Sequence, residues 1–592
     1  MSAALAGALG PPRLAAETSD APAGSAPAQD AAFRAAVASF IDSEMRLFPQ
    51  RATAEGDHRF DNRLPDLSQT GIAGVIRHAE EWKQKFSAFA PSGSEPGRDL
   101  GPGHSRLSYP LSAANEADRE WLIANLDGEL LWTEQVRNYE REPGMYLPTA
   151  AINSLIKRNF APAADRMRSV AAREKAALGN LAAARRNLKA NRVPKIAIDI
   201  VLEEAPATLA FFERDVPAAF AAVPDGPPKR AFQTANAAEI SGIENYTKWL
   251  KEDLRPRATG DYAIGADAYR RMLIDDDMVD IPLGQLEEAG VKELARLQDQ
   301  FRKTAGEIDP HHSPAEVASR LASEHPAADQ VIREVTAGLA AIRAYVVEHH
   351  IAAIPSEVPP IVHETPPYMR ATTFASMDTP GPFEKSTEAY FQVTLPEAGW
   401  PPERKEQLLA FFSPPTISDT SVHEVYPGHY VQFLNNRLNP DLVRSLYYSG
   451  ANAEGWAFYC EQMMLDEGLH RGEPRYRLAQ VQMALLRACR YLVGLRMHTR
   501  GMTVEEAAAF FETNAYQTPH NAMVEALRGT GDPGYLRYQL GKLMILKLRE
   551  DVRKKEGAAF DLGKFHDAFL REGALPIRLI RRAMLGADGP LL

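Results

Sequence analysis

The sequence is poor in several features, and each shortage excludes a class of protein. Its 592 residues include only two cysteines, Cys460 and Cys489, which excludes a disulfide framework and a zinc site built from cysteines. No apolar run reaches about 18 residues, the length of a membrane-spanning helix. The formal net charge is -11, whereas nucleic-acid binding usually needs a basic face. We therefore expect neither a membrane span nor a nucleic-acid partner.

The first thirty residues are rich in Ala, Gly, Pro and Ser. A secretory signal would begin with basic residues and continue into a clean apolar segment, but here the start lacks Lys and Arg, and its short apolar stretch contains Gly7. We interpret residues 1–30 as a disordered tail or a signal remnant outside the fold. The predicted compartment is periplasmic or exported if this is a signal remnant, and cytoplasmic otherwise.

Helical periodicity dominates residues 31–354, where apolar residues recur at helical spacing between charged ones. Prolines then become dense between residues 355 and 396, which forbids long helices there. Within that stretch, EAYFQVTL (388–395) has the β-branched and aromatic composition of a strand. Helices resume near Glu403. The pattern predicts a mainly α fold with two helical lobes around a substrate cleft, residues 31–354 and 355–592, and a small β-sheet beside the helix of the motif described next.

The segment HEVYPGH (423–429) carries the strongest chemical signal. In the H-E-x-x-H arrangement of zinc peptidases, two histidines four residues apart share one helical face. Here His429 follows His423 by six residues, which on a regular helix places it ~120° away instead of ~40°. Pro427 cannot donate to the carbonyl of His423, and Gly428 tolerates unusual dihedrals. We predict a bulged turn that returns His429 to the face of His423, with Glu424 as the general base.

A third metal ligand is predicted in the segment AEGWAFYCE (453–461). Glu454 follows His423 by 31 residues, an interval that suits a second helix returning toward the first. Glu461 lies two turns further along the same face and is predicted to orient a ligand imidazole. The two glutamates could also exchange these roles. A site of two histidines and one glutamate with an open fourth position is typical of catalytic zinc, so we expect Zn²⁺ as cofactor.

Further candidates assist the chemistry or bind the substrate. A developing oxyanion needs a donor besides the metal, and Tyr538, His498 and Tyr426 are candidates, with Tyr426 also a candidate for substrate binding. Arg490 and Arg528 are candidates for binding a peptide carboxylate. For each of these five residues, core packing or a surface salt bridge is the competing interpretation.

Three segments, HEVYPGHYVQ, EGWAFYCEQM and LGKLMILKLRED, resemble the bacterial "domain of unknown function 885" family, whose members resemble gluzincin-type zinc peptidases. The N-terminal segments FPQRATAEGDHRFDNRL (48–64) and YLPTAAINSLIKR (146–158) also fit. The resemblance implies a helical peptidase cleft, a zinc ion held by His423, His429 and Glu454, Glu424 as base, and short peptides as substrates. One departure is Gly494, where the family tends to have Asp.

We therefore expect zinc-dependent hydrolysis of peptide bonds in short peptides. Two alternatives differ in class. One is a zinc hydrolase of a non-peptide amide or ester. The other is a helical binding protein that uses zinc structurally or not at all, which an intact Glu424 disfavours because a structural site needs no base and closes its fourth position.

Overall fold

The structure is a computed structural model that describes residues 26–89, 110–366, 370, 374–397 and 399–592. It is mainly α-helical, as predicted. The helices before the proline-rich segment are α1 Ala26–Leu47, α2 Pro49–Ala54, α3 Gln69–Ser87, α4 Ala113–Leu130, α5 Thr149–Ile156, α6 Ala163–Asn187, α7 Lys195–Ala210, α8 Val216–Ala219, α9 Pro227–Trp249, α10 Arg255–Arg257, α11 Ala266–Asp277, α12 Leu283–Ile308, α13 Pro314–Ala322 and α14 Val331–Glu348.

The helices after the proline-rich segment supply the residues of the predicted site. They are α15 Pro402–Leu409, α16 Pro414–Glu424, α17 His429–Leu438, α18 Leu442–Leu446, α19 Gly450–Asp466, α20 Pro474–Arg500, α21 Val504–Ala515, α22 Pro519–Gly531, α23 Arg537–Glu556, α24 Leu562–Arg571 and α25 Ile577–Leu585. Several helices begin at a hydroxyl cap. For example, Thr503 and Glu506 form a reciprocal capping box at the start of α21, which satisfies backbone N–H groups of its first turn.

A small three-stranded sheet forms within the proline-rich segment. Its strands are β1 Ile361–Glu364, β2 Ala375–Asp378 and β3 Tyr390–Val393, in the order β1-β3-β2. The central strand β3 runs parallel to β1 and antiparallel to β2. It lies inside the predicted strand EAYFQVTL, and β2 contacts α16, so the predicted small sheet beside the motif helix is confirmed.

Two hydrophobic cores fill the described part of the chain. The smaller one uses side chains between Tyr146 and Ala258, from α5 to the end of α10. The larger one joins the first four helices to those from α11 onward. It includes residues on both sides of the predicted lobe boundary, such as Ile342 and Val422. The arrangement of two lobes around a cleft stays a prediction.

The predicted tail lies mostly outside the described residues, which begin at Ala26, the first residue of α1. Residues 26–30 of the predicted tail are thus helical. Among the helices that the structure describes, none combines the length and the apolar composition needed to cross a membrane.

His58, between α2 and α3, connects distant parts of the fold. Its ring lies 3.1 Å from Asp61 through Nδ1 and 3.1 Å from Glu384, just before β3, through Nε2. It also stacks on Phe160, with ring centroids 3.7 Å apart. Burial lowers the pKa of His58, but hydrogen bonds with the two carboxylates outweigh it and raise the pKa to about 9. The imidazolium therefore stabilises the packing of the segment before β3 against the N-terminal helices.

Replacing His58 with Gln should destabilise the fold in a pH-dependent way. The folded-state pKa of His58 is about 9, above the ordinary value of 6.5, so the ion pairs of its protonated ring stabilise the fold fully below pH 6.5. This stabilisation is lost as the pH rises through 9. Hydrogen bonds to charged groups are worth about 1.5–3 kcal/mol each, so we expect a loss of about 2 kcal/mol near pH 6. Urea unfolding at pH 6, 8 and 10 measures this, with exposed His520→Gln as control. A loss equal at all three pH values would contradict the ion-pair explanation.

Candidate metal centre

The segment 423–429 breaks the helix instead of bulging within it. Helix α16 ends at Glu424 and α17 begins at His429. Between them, the Gly428 N–H donates across six residues to the Val422 carbonyl at 3.1 Å. The predicted bulged turn inside one helix is therefore wrong, because the structure has two separate helices joined by a turn. Pro427 has no N–H to continue the helix, and the chain restarts as a new helix after the turn.

The break places the two histidine rings side by side. Their centroids are 4.8 Å apart and their planes are nearly perpendicular, at 89°. Gly428 makes this approach feasible, because a Cβ at that position would overlap the carbonyl oxygen of His423 and lie 2.6 Å from its carbonyl carbon. Glycine at position 428 thus has a steric explanation, because the turn has no room for a side chain there.

Helix α19 brings Glu454 to the same point. Its start is held by Asp277, which accepts hydrogen bonds from the Ser449 hydroxyl at 2.6 Å and the Ala451 N–H at 2.8 Å. Trp456 on the same helix donates its indole N–H to the Pro427 carbonyl at 2.9 Å. This bond ties the Glu-Gly-Trp segment directly to the turn between the histidines.

The donor atoms of His423, His429 and Glu454 are spaced as ligands of one ion would be. All lie within 4.8 Å of one another. Glu454 Oε2 is 3.7 Å from His423 Nε2 and 3.5 Å from His429 Nε2. These separations are long for hydrogen bonds, but donors ~2.0–2.1 Å from a tetrahedral zinc lie ~3.4 Å apart. Two imidazoles and one carboxylate also match the donor preference of Zn²⁺, so the residues fit this ion.

Glu461 contacts the second ring nitrogen of His423, Nδ1. Its Oε1 lies 2.7 Å from His423 Nδ1 and 3.1 Å from Arg487 Nη2. A carboxylate that holds Nδ1–H leaves Nε2 free to bind a metal. This geometry favours Glu454 as the ligand and Glu461 as its orienting partner. Arg487 was not identified from the sequence, and its position one turn before Arg490 on α20 was the only signal available.

The electrostatics of the cluster agree with this arrangement. Burial lowers the pKa of His423, yet contacts with Glu454 and Glu461 outweigh it and raise that pKa to about 9. Burial raises the pKa of Glu454, but the two histidines hold it well below its ordinary value. The cluster therefore attracts positive charge, which a bound cation would supply in place of protons on the rings.

Replacing Glu461 with Gln should weaken metal binding without abolishing it. The amide cannot carry the negative charge that strengthens His423 as a ligand, and loss of such a partner typically costs 10- to 100-fold in metal affinity. Replacing Glu454 with Gln should cost more, because a ligand itself is lost. Zinc affinity measured by competition with a chromogenic chelator tests both variants. Equal losses, or a larger loss for Glu461→Gln, would indicate that the two glutamates have the opposite roles.

Glu424 lies at the accessible side of the cluster. The two histidines are 6% and 8% exposed, whereas Glu424 and Glu454 are half-buried. Burial raises the pKa of Glu424, the two histidines lower it, and Glu454 raises it. The carboxylate of Glu424 therefore interacts electrostatically with all three candidate ligands. Glu424 and Glu454 are the more exposed members of this group.

Tyr538 and the two predicted arginines form one group beside the cluster. Burial raises the pKa of Tyr538, Glu454 raises it further, and Arg490 and Arg528 lower it. Arg528 Nη2 lies 3.3 Å from the Tyr538 hydroxyl. Arg490 forms a bidentate pair with Glu525, at 2.7 and 2.6 Å. The structure thus brings these three predicted residues together. Arg490, however, is paired with the carboxylate of Glu525 within the protein.

Two predicted residues lie away from the cluster. His498 is buried, its Nε2 lies 2.9 Å from the Gly529 carbonyl, and its ring packs on Tyr269. Tyr426 is buried with its ring edge-on to Tyr430, 5.8 Å between centroids, and burial raises its pKa while Arg343 lowers it. Core packing therefore accounts for both residues, and their positions give no support to the predicted roles in catalysis or substrate binding.

Two aromatic residues beside the cluster were missed in the sequence. Phe433 stacks on His429, with centroids 5.3 Å apart and planes within 2° of parallel. Tyr448 is 59% exposed, its ring centroid is 6.4 Å from that of Phe433, and the carboxylate of Glu454 is among the groups that raise its pKa after burial. Phe433 lies one turn after His429 on α17, whereas Tyr448 lies in the connection between α18 and α19, so the fold brings the two rings together.

Comparisons with known proteins cover nearly the whole chain. A family model described as "Bacterial protein of unknown function (DUF885)" matches residues 49–584. A solved structure of a "putative lipoprotein of unknown function" from Shewanella oneidensis is similar, with 25% identity, a TM-score of 0.77, and coverage of 93% of this chain and 99% of its own. A "putative lipoprotein" from Colwellia psychrerythraea has 16% identity, a TM-score of 0.73, and coverage of 94% and 99%. None of the curated proteins matches.

Proposed function

We propose that this chain, which belongs to the DUF885 family of bacterial proteins, is a zinc-dependent peptidase that hydrolyses short peptides. The observation that carries the proposal is the convergence of the donor atoms of His423, His429 and Glu454 within 4.8 Å. Glu424 directly follows His423, and all three of these residues act on its pKa. A purely structural zinc site would close its fourth position with a protein ligand. Here only three donors converge among the described residues, and the side chain of Glu454 is 31% exposed, which is compatible with an open fourth position.

In this proposal, different residues bind the ion, orient a ligand and transfer the proton. His423, His429 and Glu454 would hold the ion, which when bound supplies Lewis-acid activation of water and of the substrate carbonyl. Glu461, backed by Arg487, holds the ring of His423 in one orientation and one tautomer. Glu424 accepts a proton from the attacking water and returns it to the leaving amine, so that it acts first as general base and then as general acid.

Tyr538 is the proposed donor to the substrate oxygen that gains charge during attack. It lies on α23, which packs tightly against α19: a Cβ on Gly455 would meet Cα of Gly541 at 2.5 Å. Tyr538 is one turn before Gly541, and Glu454 directly precedes Gly455. The close helix crossing therefore holds the phenol and the metal-binding carboxylate in a fixed relation. A phenol kept protonated by burial is able to donate at neutral pH.

A peptide-pool digest tests the proposed function directly. Purified protein would be incubated with a mixed pool of synthetic peptides and analysed by mass spectrometry, in parallel with a panel of small amides and esters. We expect cleaved peptides from the zinc-loaded protein, no cleavage after treatment with a chelator, and recovery when zinc is added back. Cleavage of the small amides or esters alone, or cleavage that resists the chelator, would overturn the proposal.

A further inference from the structure

Three arginines surround Tyr538. The guanidinium carbons of Arg487 and Arg490 lie 5.9 and 5.6 Å from its ring centroid, and Arg528 contacts its hydroxyl. Two of these arginines have close carboxylate partners, since Arg487 pairs with Glu461 at 3.1 Å and Arg490 with Glu525 at 2.6 Å. The third arginine, Arg528, is paired less closely with a carboxylate.

Arg528 has its charge only loosely compensated. Its ion pair with Asp532 is long, at 3.9 Å, and its side chain is 42% exposed. Burial lowers the pKa of Arg528 and so does Arg490, but Tyr538, Tyr535 and Glu525 outweigh both and raise it. A fixed guanidinium beside a second one, with one shared buried carboxylate, attracts a further anion from solution.

Neighbouring side chains position Arg528 but leave its guanidinium group partly exposed. Its guanidinium carbon lies 5.5 Å from the ring centroid of Tyr535, and Arg490 lies over the same ring at 5.3 Å. Tyr535 in turn donates its hydroxyl to Glu525. Tyr535 and Arg490 are buried and the side chain of Glu525 is only 14% exposed, so this platform positions the exposed arginine at little entropic cost on binding.

Arg528 is connected to the metal cluster by short steps. Glu461 contacts both His423 and Arg487, Arg487 lies over the ring of Tyr538, and Arg528 contacts the hydroxyl of Tyr538. An anion bound by Arg528 would therefore lie beside the proposed catalytic centre.

We propose that Arg528 binds the free C-terminal carboxylate of the substrate peptide, so that the enzyme acts near the carboxyl ends of peptides; this rests on the proposed function. The α-ammonium of a peptide N-terminus would be repelled by Arg528, whose charge is only loosely compensated, which orients the chain with its carboxyl end toward α22. An acidic side chain carries the same carboxylate group and is the competing source of that anion.

Matched peptides test the proposal. One peptide would be prepared as free acid, as C-terminal amide, and as amide with Glu as its last residue. A charged hydrogen bond is worth about 1.5–3 kcal/mol, so we expect wild type to favour the acid over the plain amide by about 10- to 100-fold in kcat/KM. Arg528→Gln should reduce the ratio of acid to amide kcat/KM to about 1, with Arg528→Lys intermediate. Exposed Arg500→Gln, on α20 and paired with Glu287, serves as control.

A binding measurement removes the dependence on turnover. Calorimetry with the Glu424→Gln protein would compare uncleaved acid and amide peptides, with and without Arg528→Gln. We expect the acid to bind more tightly only when Arg528 is present. Equal preference for acid and amide in wild type, an equal loss on both in Arg528→Gln, or recovery of full rate by the Glu-ended amide would overturn the proposal while leaving peptidase activity intact. Failure of wild type to cleave any of the peptides would overturn the proposed function as well.

Discussion

Replacing Glu424 with Gln leaves the zinc content unchanged and lowers kcat for peptide hydrolysis by about 10²–10⁴-fold, the usual contribution of a general base. The substitution keeps the size and shape of the side chain but removes its capacity to accept a proton. Glu424 follows a candidate ligand directly in sequence, yet its own carboxylate is not one of the three converging donors. Metal binding and turnover should therefore separate in this variant.

Zinc content and turnover of the Glu424→Gln variant need to be measured on the same preparation. Zinc per chain is measured by atomic emission, and kcat with a peptide identified in the digest. Exposed Glu403→Gln, on the nearby α15, controls for removal of one negative charge and should match wild type in both. Loss of zinc in Glu424→Gln would show that Glu424 is a ligand, and wild-type turnover would show that it is not the base.

Replacing Gly428 with Ala abolishes zinc binding at micromolar zinc and destabilises the fold by about 3 kcal/mol or more. The added methyl group would overlap the carbonyl oxygens of His423 and Val422, which are backbone atoms of the helix that carries the first ligand. No side-chain rotation relieves this overlap. The turn must open, and opening it separates the two imidazoles whose donors need to lie ~3.4 Å apart.

The matched control for this variant is Gly284→Ala. Gly284 lies in the first turn of α12, and a Cβ there meets no atom within 4 Å, so the substitution should be neutral or slightly stabilising. Zinc content and the urea midpoint are measured for both variants. Wild-type zinc affinity in Gly428→Ala would contradict the view that the close approach at residue 428 holds the two rings together.

Much of the site was predictable from local chemistry. The residue types and order of His423, Glu424, His429 and Glu454 suffice to propose a zinc site, because few donor sets suit this ion. The proline-rich interruption and the strand near residue 390 also follow from local rules. The form of the break at Pro427 did not follow, since a bulge and a restart both relieve the same missing hydrogen bond.

The remaining features depend on contacts between distant segments. Arg487 is separated from Glu461 by 26 positions on another helix, and nothing local marks the pairing. His498 and Tyr426 have the right chemistry for catalysis, but tertiary packing points them into the core. The smaller core between residues 146 and 258 likewise reflects how helices pack rather than their periodicity.

Anomalous diffraction at the zinc edge, on crystals of zinc-loaded protein, tests the central claim most directly. The account predicts a peak ~2.0–2.2 Å from Nε2 of His423, Nε2 of His429 and a carboxylate oxygen of Glu454, with Glu461 on the far side of the His423 ring. Zinc-saturated crystals with no peak between these three residues, or with the two imidazoles turned away from each other, would contradict it.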